Sequence, residues 1–234
     1  MAGRVSVRRV VARALDIALP ARCTGCGREG DPICAECLPA LDARLLQPAG
    51  VAIGLPADVP APLLQLEWCA AYTGTVRRAL HELKYGAEQR LAEPLGRAVA
   101  RRWAAVGAGG DVIVPVPVHP GRLRRRGYDQ ALLVAVVAGR DLRLPVAPVL
   151  ERARETIAQF DLDRAARATN VAGAFRLRDP PRTSRLDRVR PLDGRWVILV
   201  DDVVTTGATL VACAGPLLDA GAIGVSAIAV ARER

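Results

Sequence analysis

The 234-residue sequence predicts an α/β domain, a parallel sheet with helices on both faces, preceded by a small four-cysteine module. Three observations carry that expectation. From about Leu66 the chain alternates apolar strand-like runs with longer helical ones, the pattern of strand–helix–strand units. Val197-Ile-Leu-Val200 is too short for a helix and reads as a strand buried on both faces. Four of the six cysteines fall within fifteen residues near the start of the chain.

Taken in order, Val5 to Leu19 is apolar at helical spacing but interrupted by Arg8, Arg9, Arg13 and Asp16. It predicts an amphipathic helix lying on the following module rather than a secretory signal. No apolar run approaches the roughly 20 residues of a membrane span, and the chain reads as cytoplasmic. Next come Cys23-x-x-Cys26 and Cys34-x-x-Cys37, two pairs separated by seven residues, with Gly25 and Gly27 giving the turns their freedom. Each pair can grip one ion from a tight turn, which points to a closed, structural Zn²⁺ site with four thiolate ligands. Two disulfides, redox dithiols and an iron–sulfur cluster are the alternatives. The proline-rich stretch Pro48 to Pro62 reads as a connection, dividing the chain into residues 1–62 (helix, module and linker) and 63–234.

In the second part, Leu66 to Tyr72 is predicted as a strand turning at Thr73-Gly74, and Arg77 to Lys84 and Gln89 to Ala105 as helices. The second carries Leu91, Leu95, Val99 and Trp103 at four-residue spacing. Asp111 to Val118 reads as a strand entering a proline-marked loop at Pro117, Gln130 to Arg140 as an apolar helix, and Val146 to Leu150 as another short strand. Glu151 to Asn170 reads as a long loop or loose helix, and Arg178 to Arg195 as a solvent-exposed insertion. The Val197 strand, a helix over Leu210 to Ala220 and a strand over Val225 to Val230 close the fold. Cys69 and Cys213 fall in apolar contexts as ordinary buried thiols.

The formal charge of +9 is almost all arginine, since Lys84 is the only lysine. With alanine abundance, that pattern fits a GC-rich coding background and is permissive for polyanions without establishing them. Three Trp, three Tyr and two Phe leave little for a base-stacking platform.

The chemistry concentrates at two places. Asp201 and Asp202 end the buried strand, where open α/β sheets bind ligands, and suit ribose hydroxyls or a hydrated Mg²⁺. The turn Thr205-Thr-Gly-Ala-Thr209 opens a helix with N–H and hydroxyl donors suited to a phosphate monoester. Together they predict a phosphosugar site. Arg122, Arg124, Arg125 and Arg126 follow another strand in a loop matched to a diphosphate; a solvated basic loop is the alternative. His119 reads as shaping that loop or touching its ligand, and His81 as a helix-surface or packing residue.

Val197 to Thr209 resembles the phosphoribosyl-pyrophosphate motif of type I phosphoribosyltransferases: four apolar residues, two acids, then Thr-Thr-Gly-x-Thr. The paired cysteines, Lys84-Tyr85, Pro115-Val-Pro-Val-His-Pro with Arg122-Leu-Arg-x-Arg-Gly-Tyr-x-Gln130, and Arg154-x-Thr156-x-x-Gln159 through Arg167-x-x-Asn170 narrow the resemblance to the ComF family. It covers nearly the whole chain in order. It implies a type I phosphoribosyltransferase-like sheet, a zinc module, and 5-phosphoribosyl 1-diphosphate with Mg²⁺ as ligand. Asp201 and Asp202 would hold the ribose, and Thr205, Thr206, Gly207 and Thr209 its 5′-phosphate. Arg122 to Arg126 and Gln130 would face the diphosphate. Gln159 to Asn170 takes the place of a closing loop, and Arg154 and Arg167 would partner the departing diphosphate. The resemblance further implies transfer to an unidentified acceptor and a role in DNA uptake during natural competence. An adaptor contacting competence proteins or, weakly, single-stranded DNA is the second reading. Asp129 stands where the family shows Asn and adds a negative charge beside the diphosphate site.

Overall fold

The computed structural model describes residues 21–49, 59–152, 173–178 and 192–233. The helix expected over Val5 to Leu19, the Gln159–Asn170 run, Arg154 and Arg167 lie outside the described residues, as does most of the Arg178–Arg195 stretch.

The cysteine module carries β1 (Ala21–Arg22) and β2 (Glu29–Gly30), paired antiparallel. The larger domain follows as β3 (Leu66–Ala71), α1 (Gly74–Tyr85), α2 (Ala92–Val106), β4 (Val112–Pro115), α3 (Pro120–Arg126) and α4 (Gln130–Leu142). It continues through β5 (Leu150–Arg152), β6 (Phe175–Leu177), β7 (Trp196–Val204), α5 (Ala208–Asp219) and β8 (Gly224–Arg232). The sheet order is β3-β8-β7-β4 and every pairing in it is parallel. The α/β class read from the sequence is therefore the architecture observed.

Side chains alternate across the sheet as a strand's period of two requires. Ile113, Ile198, Val200 and Ile228 face a core built with α1, α2 and α4. Val112, Val114, Val197, Leu199 and Ala227 face a second core closed by α5. Strands covered on both sides need continuous apolar runs, which is why Val197 to Val200 lacks polar alternation. Gly96 sits where α2 crosses α4: a Cβ there would lie 2.5 Å from Val137 Cβ, so glycine is required by close approach.

One predicted strand splits. Val146 makes only an isolated parallel bridge to Ile113, while Leu150 starts β5, which pairs antiparallel with β6 outside the main sheet. Pro145 to Ala147 bond to Ile113, and Pro148 lacks the N–H a continuing ladder needs, so the run breaks there.

Arginines fasten the module to the domain. Arg78 on α1 donates from Nη2 to the Gly25 carbonyl at 2.9 Å and from Nε to that of Thr24 at 2.5 Å. Arg101 grips both carboxylate oxygens of Asp42 at 2.9 Å. Arg102, 1% exposed, pairs with buried Glu67 at 2.7 Å and donates to the Arg44 and Gln47 carbonyls. A buried charge needs this degree of satisfaction to be tolerated.

Candidate functional site

β7 runs on to Val204, so Asp201 and Asp202 lie within the strand's last residues rather than beyond its end. Successive side chains point to opposite faces, and their neighbours follow that rule. Asp202, 6% exposed, accepts at Oδ2 from Lys84 Nζ on α1 and from Gln130 Nε2 at the start of α4, each at 3.0 Å. Gln130 in turn accepts at Oε1 from Arg126 at 2.6 Å. Asp201 lies toward Arg152 of β5 and Cys213 of α5. One of its oxygens accepts from the Asp202 N–H at 2.8 Å, and the other has no hydrogen-bond partner among the described residues. Burial, and then the Asp202 carboxylate beside it, push Asp201 up to about 8, against the Asp202 N–H and Lys84. Burial alone would lower the Lys84 ammonium, but Asp202 and then Asp201 hold it above its ordinary value.

The turn after the acids has the predicted form. Thr205 and Thr206 are exposed, and Gly207 adopts φ +83° as the residue before α5, a left-handed conformation that favours glycine. A Cβ on Gly207 would also crowd Pro60 at 3.1 Å. Among the described residues, the only side-chain cap on the helix start is a long contact from the Ala208 N–H to Thr206 Oγ1 at 3.4 Å. The first-turn N–H groups, Thr209 among them, are thus left for water or an anion.

The arginine segment departs from expectation. β4 ends at Pro115, not Pro117, and the four arginines lie on the two-turn helix α3 rather than in a loop. Pro120 at the first helical position and His119 as cap start it; His119 Nδ1 accepts from the Gly121 N–H at 3.1 Å. Helical spacing then parts the arginines. Arg122, Arg125 and Arg126 share one face and, with Lys84, Tyr85 and Tyr128, line a cavity of about 480 Å³. Arg124 is not among its walls. Arg126 also stacks over the Tyr85 ring at 5.0 Å, and Tyr128 donates its hydroxyl to the Leu83 carbonyl, fixing the cavity floor.

Asp129 proves to be an architectural cap. Its Oδ1 accepts from the Leu132 N–H at 3.1 Å and Oδ2 from the Val118 N–H at 3.0 Å, so one carboxylate caps α4 and holds the chain leaving β4. Lys84 was not singled out as a site residue, although it is the chain's sole lysine and ends a predicted helix. Arg152, facing Asp201 and Arg122, was missed as well. His81 is exposed at the helix surface, 3.9 Å from Glu82, as expected.

Cys23, Cys26, Cys34 and Cys37 converge, and none forms a disulfide. All four sulfurs lie within 4.8 Å of one another, with Cys26 and Cys34 3.7 Å apart. Zn–S bonds of about 2.3 Å in tetrahedral array demand sulfur separations of about 3.8 Å. The donor set therefore fits one such ion. Burial opposes ionisation of Cys23, but N–H groups of Cys34, Cys26 and Gly25 bring it down to about 6, whereas burial and the three neighbouring thiols push Cys37 up to about 12, so the four do not ionise together without a cation. A Cβ on Gly25 would meet Cys37 Sγ at 2.4 Å, so the knuckle admits only glycine. Cys69 and Cys213 are fully buried, and burial pushes Cys69 up to about 12.

No helix among the described residues is long and apolar enough to cross a membrane. No protein-family model matches the chain. It is 31% identical over 211 residues to DNA utilization protein YhgH of Escherichia coli K12, covering 87% of this chain and 85% of the relative. The protein of that name in Salmonella typhimurium is 30% identical over the same shares. Competence protein F of Haemophilus influenzae is 37% identical over 101 residues, 43% of this chain and 41% of that one. Among solved structures, glutamine phosphoribosylpyrophosphate amidotransferase from B. subtilis, complexed with ADP and GMP, superposes with a TM-score of 0.36 at 21% identity. The match covers 58% of this chain and a quarter (25%) of that longer one.

Proposed function

The chain belongs to the ComF family, that of YhgH and competence protein F, and from this membership we propose that it binds 5-phosphoribosyl 1-diphosphate with Mg²⁺ through the β7–α5 corner. One observation carries the proposal: two carboxylates at the end of a buried parallel strand run directly into a helix start that almost nothing caps. The 5′-phosphate takes the N–H groups and hydroxyls of Thr205, Thr206, Gly207 and Thr209. Asp201 and Asp202 take the ribose hydroxyls, with Lys84 and Gln130 fixing the Asp202 rotamer. Arg122, Arg125 and Arg126 take the diphosphate, whose charge guanidinium groups match in pairs. Arg124 shares the helix but serves its other side.

Asp201 would hold Mg²⁺ through the oxygen that makes no hydrogen bond among the described residues, and the ion would supply charge neutralisation for the diphosphate. Transfer of the phosphoribosyl group to a nucleophile is the reaction this arrangement suits, with Arg154 and Arg167 as proposed partners of the leaving diphosphate. Zn²⁺ on the four cysteines serves structure, since four sulfur ligands leave no open position. A cytoplasmic protein acting in DNA uptake with other competence proteins is the wider reading; the relatives' names, DNA utilization protein and competence protein F, support its link to DNA and competence.

The test of chemistry is diphosphate release from the phosphosugar diphosphate with Mg²⁺ across a panel of bases and amines. Release that depends on one acceptor and vanishes in Asp201→Asn supports transfer; none with any acceptor contradicts it. The second reading, an adaptor for protein partners or single-stranded DNA, is favoured by the +9 charge. It requires DNA affinity that falls steeply with salt, and no affinity at low salt leaves protein partners alone.

A further inference from the structure

We propose that Arg78 is a positioning residue through which metal at the four cysteines controls the phosphosugar site, with α1 as the connecting element. The proposal rests on the phosphosugar-diphosphate reading, because Asp202, one of the two ribose acids in that reading, is where the far end of α1 arrives.

The first turns of α1 meet the cysteine module. Arg78 donates to the carbonyls of Thr24 and Gly25, both inside the first Cys-x-x-Cys turn, at 2.5 and 2.9 Å. No carboxylate among the described residues pairs with it. A Zn²⁺ ion on four thiolates leaves the knuckle with net negative charge, which a guanidinium held against its carbonyls complements. The same knuckle lies on Thr75, since a Cβ on Gly25 would stand 3.1 Å from Thr75 Oγ1. Ile33, beside Cys34, is buried in one apolar cluster with Val76, Leu80 and Leu83 of α1, and Leu38, beside Cys37, packs against it. Cys23, Thr24, Arg78 and His81 also line a cavity of about 600 Å³ between module and helix. At that point the contact is made by the bonds of Arg78 rather than by close packing, and the knuckle has room to shift.

The last turn of the same helix is in the phosphosugar site. Lys84 Nζ stands 3.0 Å from Asp202, and the Leu83 carbonyl takes the hydroxyl of Tyr128, just after the arginine helix. Arg78 and Lys84 are six residues apart, about 9 Å along the helix axis. Over that length a helix with a buried face moves as one rigid piece. Without the ion the two cysteine pairs share no centre, the Thr24 and Gly25 carbonyls leave Arg78, and α1 shifts. Lys84 moves with it, and Asp202, 6% exposed, loses the cation that orients it. The metal-bound chain is therefore the form that binds the phosphosugar, and by linkage the phosphosugar tightens zinc binding by the same factor.

The test titrates 5-phosphoribosyl 1-diphosphate with Mg²⁺ into the full chain, zinc-loaded or stripped by a zinc-selective chelator that leaves Mg²⁺ in solution. Stripping should weaken binding about fivefold or more, and the ligand should raise zinc affinity against the chelator by the same factor. Arg78→Gln should still hold about one zinc per chain yet bind the ligand with nearly the stripped affinity in either state, cutting the ratio to about twofold or less. Arg101→Gln, which loosens the module from α2 instead, should keep the wild-type ratio. Equal affinity with and without zinc in the wild type overturns the proposal. So does a ratio unchanged in Arg78→Gln, as general unfolding of the stripped chain would give, or the same collapse in Arg101→Gln. If the ligand does not bind the zinc-loaded wild type, the phosphosugar reading fails instead, and hydrogen exchange of the Leu80 to Tyr85 amides decides the coupling. Stripping should speed that exchange in the wild type and leave it unchanged in Arg78→Gln; exchange unmoved in the wild type overturns the coupling as well.

Discussion

Asp201 and Lys84 show how single groups at this site set stability against function. Asp201 has a folded value near 8 against an ordinary 3.8, so the folded state favours its neutral form. The stability this group contributes is complete below pH 3.8 and is lost as pH rises toward 8. Asp201→Asn should therefore stabilise the ligand-free protein at pH 8 by at least about 1 kcal/mol, with the gain shrinking toward zero at pH 4. Urea unfolding at the two pH values measures it; an equal gain at both would show that charge is not the cause. Lys84 works in the opposite sense, because it is the cation set 3.0 Å from the buried Asp202 carboxylate. Lys84→Met should cost about 3 kcal/mol, the penalty for a stranded buried carboxylate, and Asp202→Asn in that background should recover much of it. A double-mutant cycle from the same unfolding experiment gives both numbers.

At the level of elements, two turns and a cap carry the site. Gly25→Ala should abolish metal binding as fully as Cys34→Ser, since its Cβ would stand 2.4 Å from the Cys37 sulfur. Elemental analysis should find about one zinc per chain in the wild type and little in either variant; a metal-free, folded wild type would remove the zinc assignment. Asp129→Ala should cost about 1–2 kcal/mol through loss of the α4 cap, while Asp129→Asn, whose one acceptor oxygen can serve either the Leu132 or the Val118 N–H but not both, should fall between that variant and wild type. β7, its acids and the Gly207 turn were legible because a doubly buried strand and a left-handed glycine leave marks in local sequence. Four thiols in two tight pairs were legible for the same reason. The run after His119 was not: its prolines suggested a loop, whereas Pro120 starts a helix, and only the helix reveals that Arg124 parts from its neighbours. Lys84 could not be placed because its partner is 118 positions away, across a packing of helix on sheet that no local pattern encodes.

Across the whole molecule, the cysteine module and the β7–α5 corner are linked through a continuous set of contacts. Arg78, Arg101 and Arg102 tie the module and the segment after it to α1, α2 and β3, and β3 pairs with β8, which pairs with β7. Excess arginine thus has two uses, fastening the module and lining the cavity, and the net charge alone distinguishes neither. The account stands or falls on the ligand of the β7–α5 corner. The most direct measurement is calorimetric titration of 5-phosphoribosyl 1-diphosphate into the full chain, with and without Mg²⁺, for wild type and for Asp201→Asn/Asp202→Asn. The account predicts Mg²⁺-dependent binding at one site per wild-type chain, weakened by about tenfold or more in the double variant. Absence of Mg²⁺-dependent binding in the wild type, or equal affinity in the variant, would contradict it.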